Sequence, residues 1–139
     1  MLSLTAYYHI YMQDFRQLKV WERAHTLTLN VYQSTKNYPR EELFGLTSQI
    51  RRACASIPAN LAEGCAKNTD ADFARHVQIA IGSASELEYH LLLSKDLGYL
   101  QAPEHDQLSD AVIEIRRMLI ALAGKLRSSS LKAHSSSLK

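Results

Sequence analysis

Four successive stretches of this chain place apolar residues every three to four positions, and the links between them are so short that each helix must double back on the one before. In the first stretch Val20, Ala24, Leu27 and Val31 recur at helical spacing, flanked by Trp21, Thr28 and Tyr32. A helix is predicted from Asp14 or Phe15 to Lys36, ended by Asn37-Tyr38-Pro39. The second helix begins weakly at Pro39 to Glu42 and runs to about Gly64 on the stripe Leu46, Ile50, Ala53, Ile57 and Leu61. The third is capped by Asn68 or Thr69, carries Asp70 and Asp72 in its first turn, and continues on Phe73, Val77, Ala80, Ala84, Leu87 and Leu91 to about Leu97, where Gly98 closes it. In the fourth, Pro103 suits the first turn, and the interleaved series Leu108, Ile115, Leu122 and Val112, Leu119, Leu126 give a bundle-like seam. An all-α, antiparallel up-down four-helix bundle over residues 14–127 is the architecture these periods dictate.

The second helix carries more information than its core stripe. Beside that stripe, Gln49, Arg52, Ser56, Asn60 and Glu63 fall within roughly a quarter of the helix circumference and form a polar row. A guanidinium can bridge two carboxylates, so Arg52 is expected to join Glu63 to Glu88 of the third helix while Gln49, Ser56 and Asn60 satisfy the remaining donors and acceptors. That makes the row a structural network that fixes helix register. On the other side Ser48, Ala55, Ala59 and Ala62 leave little bulk, and a close helix contact is expected there. Pro58 is expected to kink the helix, and Gly64 to cap it in the left-handed conformation.

Tyr38-Pro39 with Glu42, Phe44-Gly45-Leu46, Gln49-Ile50-Arg51-Arg52-Ala53, Ser56-Ile57-Pro58 and Asn60-Leu61-Ala62-Glu63-Gly64 together form a pattern. With Leu18-Lys19-Val20-Trp21 upstream and Gly82-Ser83-Ala84-Ser85-Glu86-Leu87-Glu88 downstream, it resembles the four-helix bundle proteins encoded in intervening sequences of bacterial 23S ribosomal RNA. The resemblance runs from about Phe15 to about Leu126. It implies a homo-oligomer, a homopentameric ring. Through related accessory proteins of diversity-generating retroelements it also implies an RNA- or DNA-binding scaffold. The alternative it leaves open is a protein-protein adaptor that docks a partner enzyme such as a reverse transcriptase.

Composition bounds the remaining classes. The 139 residues suit one domain, and no apolar run approaches the ~20 residues of a membrane span. Sixteen Lys and Arg against fourteen Asp and Glu leave a net charge of +2, so any polyanion site must come from how the charge is distributed. The candidates for nucleic-acid contact are Arg51, Lys67, Arg75, Arg116 and Arg117. Cys54 and Cys65 lie too far apart along one helix to bridge, read as small apolar residues, and fit a reducing cytoplasm. Glu22-Arg-Ala-His25 is one half of the paired Glu-x-x-His spacing that a di-metal bundle needs, and the second half is missing, so neither metal nor cofactor is expected. His76, Ser83 and His90 repeat every seven residues as an outer polar edge. There is no phosphate loop or nucleophile elbow, so no enzyme is expected. Residues 1–13 read as an aromatic-rich extension, with Met12 an alternative start, and residues 128–139, where Ser-Ser-Ser-Leu-Lys occurs twice, as a flexible tail.

Overall fold

The computed structural model describes residues 14–137, so the expected N-terminal extension lies outside the described residues. Four helices make up the fold: α1 (Lys19–Thr35), α2 (Leu46–Cys65), α3 (Asp70–Asp96) and α4 (Ala102–Ser137). Single 3-10 turns at Phe15–Gln17 and Arg40–Glu42 precede α1 and α2. Both helices therefore start later than the periodicity alone predicts. Asp14 caps the first turn by accepting from the Arg16 N–H at 3.1 Å, and Leu18 is then extended, which separates this turn from α1.

Side-chain contacts fix the topology. Thr28 meets Cys54 and Thr35 meets Arg51, so α1 and α2 run antiparallel. Ser56 meets Ser83 and Asn60 meets His76, which reverses α3 against α2. Arg116 meets Glu88 and Arg127 meets Gln78, which reverses α4 against α3. Arg23 and Ser34 reach Glu114 and Glu104, so α4 returns alongside α1 and closes the up-down-up-down square.

The core is the one the stripes describe. Ile50, Ile57, Leu61, Leu87, Leu91, Ile115 and Leu119 are essentially inaccessible, and Val20, Ala24, Leu27 and Val31 seal the α1 side. Each fully buried aliphatic side chain contributes about 1.5–3 kcal/mol relative to exposure, which is why this spacing decides the fold. Thr69 caps α3 by accepting from the Asp72 N–H at 3.1 Å, as the sequence predicts. Gly98 ends the α3 hairpin at φ 83°, where a residue with a Cβ is disfavoured.

Two expectations change. Gly64 is not a left-handed cap: α2 continues to Cys65 and ends on right-handed Ala66. Its small size serves packing instead, because a Cβ added there would lie 2.7 Å from Phe73 Cδ1 and 3.2 Å from His76 Cβ. The second change is at the C-terminus, where α4 stays helical past Arg127 to Ser137. From Lys125 to Ser137 the sequence holds neither glycine nor proline, and Ser129 Oγ donates to Asp70 Oδ2 at 2.6 Å, tying the extra turns to the start of α3.

Candidate nucleic-acid interface

The polar row of α2 is half realised. Ser56 Oγ lies 2.8 Å from Ser83 Oγ, and Asn60 Nδ2 donates to the Ser56 carbonyl at 2.8 Å and to its hydroxyl at 3.0 Å. With its amide nitrogen so committed, Asn60 presents Oδ1 to His76, which donates from Nδ1 at 3.2 Å. Glu63 adds a carboxylate 3.6 Å from the same ring nitrogen. The result is a chain of bonds, half-buried between α2 and α3, that locks their register. Ser56, Asn60, Ser83 and His76 spend these polar groups on one another.

Gln49, Arg52 and Glu88 do not join that chain. Arg52 is exposed and has no ion pair among the described residues, so the expected bridge to Glu63 and Glu88 is corrected. Glu88 faces α4 rather than α2, where it pairs with Arg116. His76 and Ser83, expected on an outer polar edge, are instead half-buried and are the partners that α2 uses. The third member of their seven-residue repeat is buried as well: His90 has Nε2 3.2 Å from Glu86 Oε1 and Nδ1 without a partner among the described residues. Among the described residues the small-residue face of α2 is only partly covered: Ala59 is exposed and Ser48, Ala55 and Ala62 are half-buried.

The basic candidates divide in the same way. Arg51 is committed to α1: Nε donates to Thr35 Oγ1 at 2.9 Å, and the guanidinium lies 4.7 Å from the centre of the Tyr32 ring. Arg116 is held by Glu88 and is only one-quarter exposed. Lys67 and Arg117 are exposed without ion pairs among the described residues, and Arg75 is exposed with only Asp72, one turn away, at 3.1 Å. His25 stacks on Trp21 at 5.0 Å, which accounts for it without a metal.

Topology then sorts charge along the bundle axis. The end that gathers the start of α1, the close of α2, the start of α3 and the far half of α4 carries Lys19, Lys67, Arg75, Lys125, Arg127 and Lys132, interspersed with Asp14, Glu22, Glu63, Asp70 and Asp72. The opposite end carries Glu41, Glu42, Asp96, Glu104, Asp106 and Asp110, with Lys36, Arg40 and Lys95 among them. Both ends of this near-neutral chain are mixed, with a small basic excess at one and an acidic excess at the other, which no net-charge figure reveals.

The cysteines are inert at neutral pH. Burial pushes the Cys65 thiol up to about 12 with a further push from Asp14, and burial pushes Cys54 up to about 11 against a smaller opposing bond from Thr28. Between α1 and α4 runs a cleft of about 640 Å³ with Leu27, Leu108, Ala111 and Ile115 on its floor. No sequence pattern announces it, because it depends on how far α1 stands from α4 rather than on either helix's periodicity. No described helix is long and apolar enough to cross a membrane.

Comparison with known proteins agrees with the bundle and its length. A protein of unknown function from the S23 ribosomal protein family of Bacteroides thetaiotaomicron, solved by crystallography, superposes with a TM-score of 0.71. It is 26% identical, and the match covers 76% of this chain and 95% of that one. No curated protein matches. Residues 16–121, which hold the α2 row, its α3 partners and most of α4, match the 23S rRNA-intervening sequence protein family, and the chain belongs to that family.

Proposed function

We propose that the protein is a non-enzymatic, homo-oligomeric scaffold that binds RNA or DNA through its basic end, assembling as a homopentameric ring. The observation that carries this reading is the gathering of Lys67, Arg75, Lys125, Arg127 and Lys132 at one end of the bundle, where they leave a small basic excess over the carboxylates between them, while the other end has an acidic excess. In a ring with the bundles side by side, that end repeats once per subunit, and a modest patch becomes a strong field. The family's name points to ribosomal RNA as the polymer class, and the resemblance supplies the count of five. The internally satisfied α2–α3 row supports a structural role for those residues rather than a catalytic one.

Titration of wild type with single-stranded and structured RNA at 50 and 200 mM salt tests the reading. Two phosphate contacts alone predict about a tenfold loss of affinity over that range, and a ring should lose more. A variant with Lys67→Glu, Arg75→Glu and Lys125→Glu should abolish binding with helicity and particle size unchanged. Arg117→Glu, away from that end, should bind nearly as wild type does. Salt-insensitive binding, or none at 50 mM salt, overturns the reading and leaves docking of a protein partner in its place.

A further inference from the structure

Phe44 is the most exposed large apolar side chain among the described residues, 94% accessible, and Leu43 beside it is half exposed. Neither is on a loose loop. Glu42 donates its N–H to Pro39 O at 3.0 Å, Leu43 to Arg40 O at 3.1 Å, Gly45 to Glu42 O at 3.0 Å and Gln49 to Gly45 O at 3.0 Å. These successive backbone bonds brace the α1–α2 connection from which Phe44 projects as a knob. A knob fixed in advance loses little conformational freedom when it is buried.

The α1–α4 cleft is the complementary feature. Arg23–Glu114 and Ser34–Glu104 span it from helix to helix, its floor is apolar, and its volume of about 640 Å³ is enough for a phenylalanine and a leucine together. The charges match in both directions. Lys19 and Glu22 line the cleft, Arg40 and Glu41 flank the knob, and none of the four has an ion pair among the described residues. Each side thus offers one unpaired charge of either sign to the other.

We infer that Phe44 and Leu43 of one copy of this chain insert into the α1–α4 cleft of the next copy. Knob and cleft are different parts of the surface, so the contact is heterologous and repeats head to tail, which closes into a ring when the rotation allows. The inference rests on the oligomeric part of the proposed function and names the contact that builds it.

The test uses Phe44→Asp and Asn30→Trp, the latter an exposed cleft-lining position where a bulky ring covers the floor. Phe44 touches little of its own chain, so Phe44→Asp should keep wild-type helicity. In sedimentation velocity each variant alone should fall to the 15.7 kDa of a single chain. Mixed in equal amounts, the two should form a heterodimer and nothing larger, because the pair retains one intact knob and one intact cleft. Either variant keeping the wild-type size, or the mixture staying monomeric, overturns the inference and leaves the ring reading standing. A wild-type monomer overturns both. Should Asn30→Trp misfold, a benzophenone side chain at position 44 decides the same question: crosslinks to the peptides of Leu27 or Ala111 of another copy support the contact, and crosslinks elsewhere overturn it.

Discussion

Replacing Gly64 by alanine should destabilise the protein, although the same replacement elsewhere in its helices should stabilise it. An alanine in a helix interior is favoured over glycine by up to ~1 kcal/mol, through lower backbone entropy loss. At Gly64 the new methyl would sit 2.7 Å from Phe73 Cδ1, 3.1 Å from Phe73 Cε1 and 3.2 Å from His76 Cβ. The Phe73 ring cannot swing clear, since it is only 4% accessible and packed in the core. The remaining response is to push α2 and α3 apart, at the ~1–3 kcal/mol typical of overpacking. Overpacking set against the full propensity gain leaves a net loss of about 0–2 kcal/mol. Gly82 and Gly124 supply the controls, because a Cβ at either meets nothing within 4 Å. Gly82→Ala and Gly124→Ala should each gain ~0.5–1 kcal/mol. Urea denaturation followed by circular dichroism, with all variants at one protein concentration so that assembly does not confound the comparison, gives the three signs directly. If Gly64→Ala stabilises as the controls do, the close-approach argument is refuted.

Three further outcomes follow from the contacts. Arg52→Ala should change stability by less than ~0.5 kcal/mol, the range of an unpaired surface substitution, and a loss near ~3 kcal/mol would restore the bridge that the structure removes. Arg116→Ala should cost about 1–2 kcal/mol, between exposed and buried pairs, and in a double-mutant cycle with Glu88→Ala the two losses should fail to add by at least ~0.5 kcal/mol; simple additivity would dissolve the pair. The thiols predict an alkaline instability: below their ordinary value of 9.0 both states are protonated, and above it the unfolded chain releases protons that the folded chain holds to about 11 and 12. Stability is therefore full below pH 9.0 and falls as pH rises through the folded values, by up to ~1.4 kcal/mol per pH unit for each thiol. A variant with Cys54→Ala and Cys65→Ala should fall less steeply in chemical denaturation between pH 9 and 10, and parallel curves would refute the assignment.

What the sequence discloses here is what one helix can carry by itself. Ile50, Ile57 and Leu61, or Val77, Leu87 and Leu91, announce their burial through spacing, and Thr69 and Gly98 mark their boundaries through local backbone chemistry. Facts that depend on a neighbour's register stay hidden. Glu88 could face α2 or α4 from its place on α3, and only the packed structure gives it to Arg116. Gly64 stands where caps stand, and nothing within α2 reports that Phe73 presses against it. The serine run after Arg127 has the composition of a tail, yet a single bond from Ser129 to Asp70 and the lack of any breaker let α4 continue. The candidate interface follows the same division: the basic residues are legible, whereas the tertiary partners of Arg51 and Arg116 are not.

The cleft also sets the order in which the bundle comes apart. α4 lies along α3 for most of their shared length but stands off from α1, so α1 is held firmly on its α2 side and lightly on the other. Such a helix is the natural unit of sub-global opening, and its amides should exchange with solvent at a lower free energy than those of α3. Anything seated between α1 and α4 would supply the missing second wall. Occupancy of that gap and the rigidity of the first helix would then rise together, with slowed amide exchange in α1 as the sign that the gap is filled.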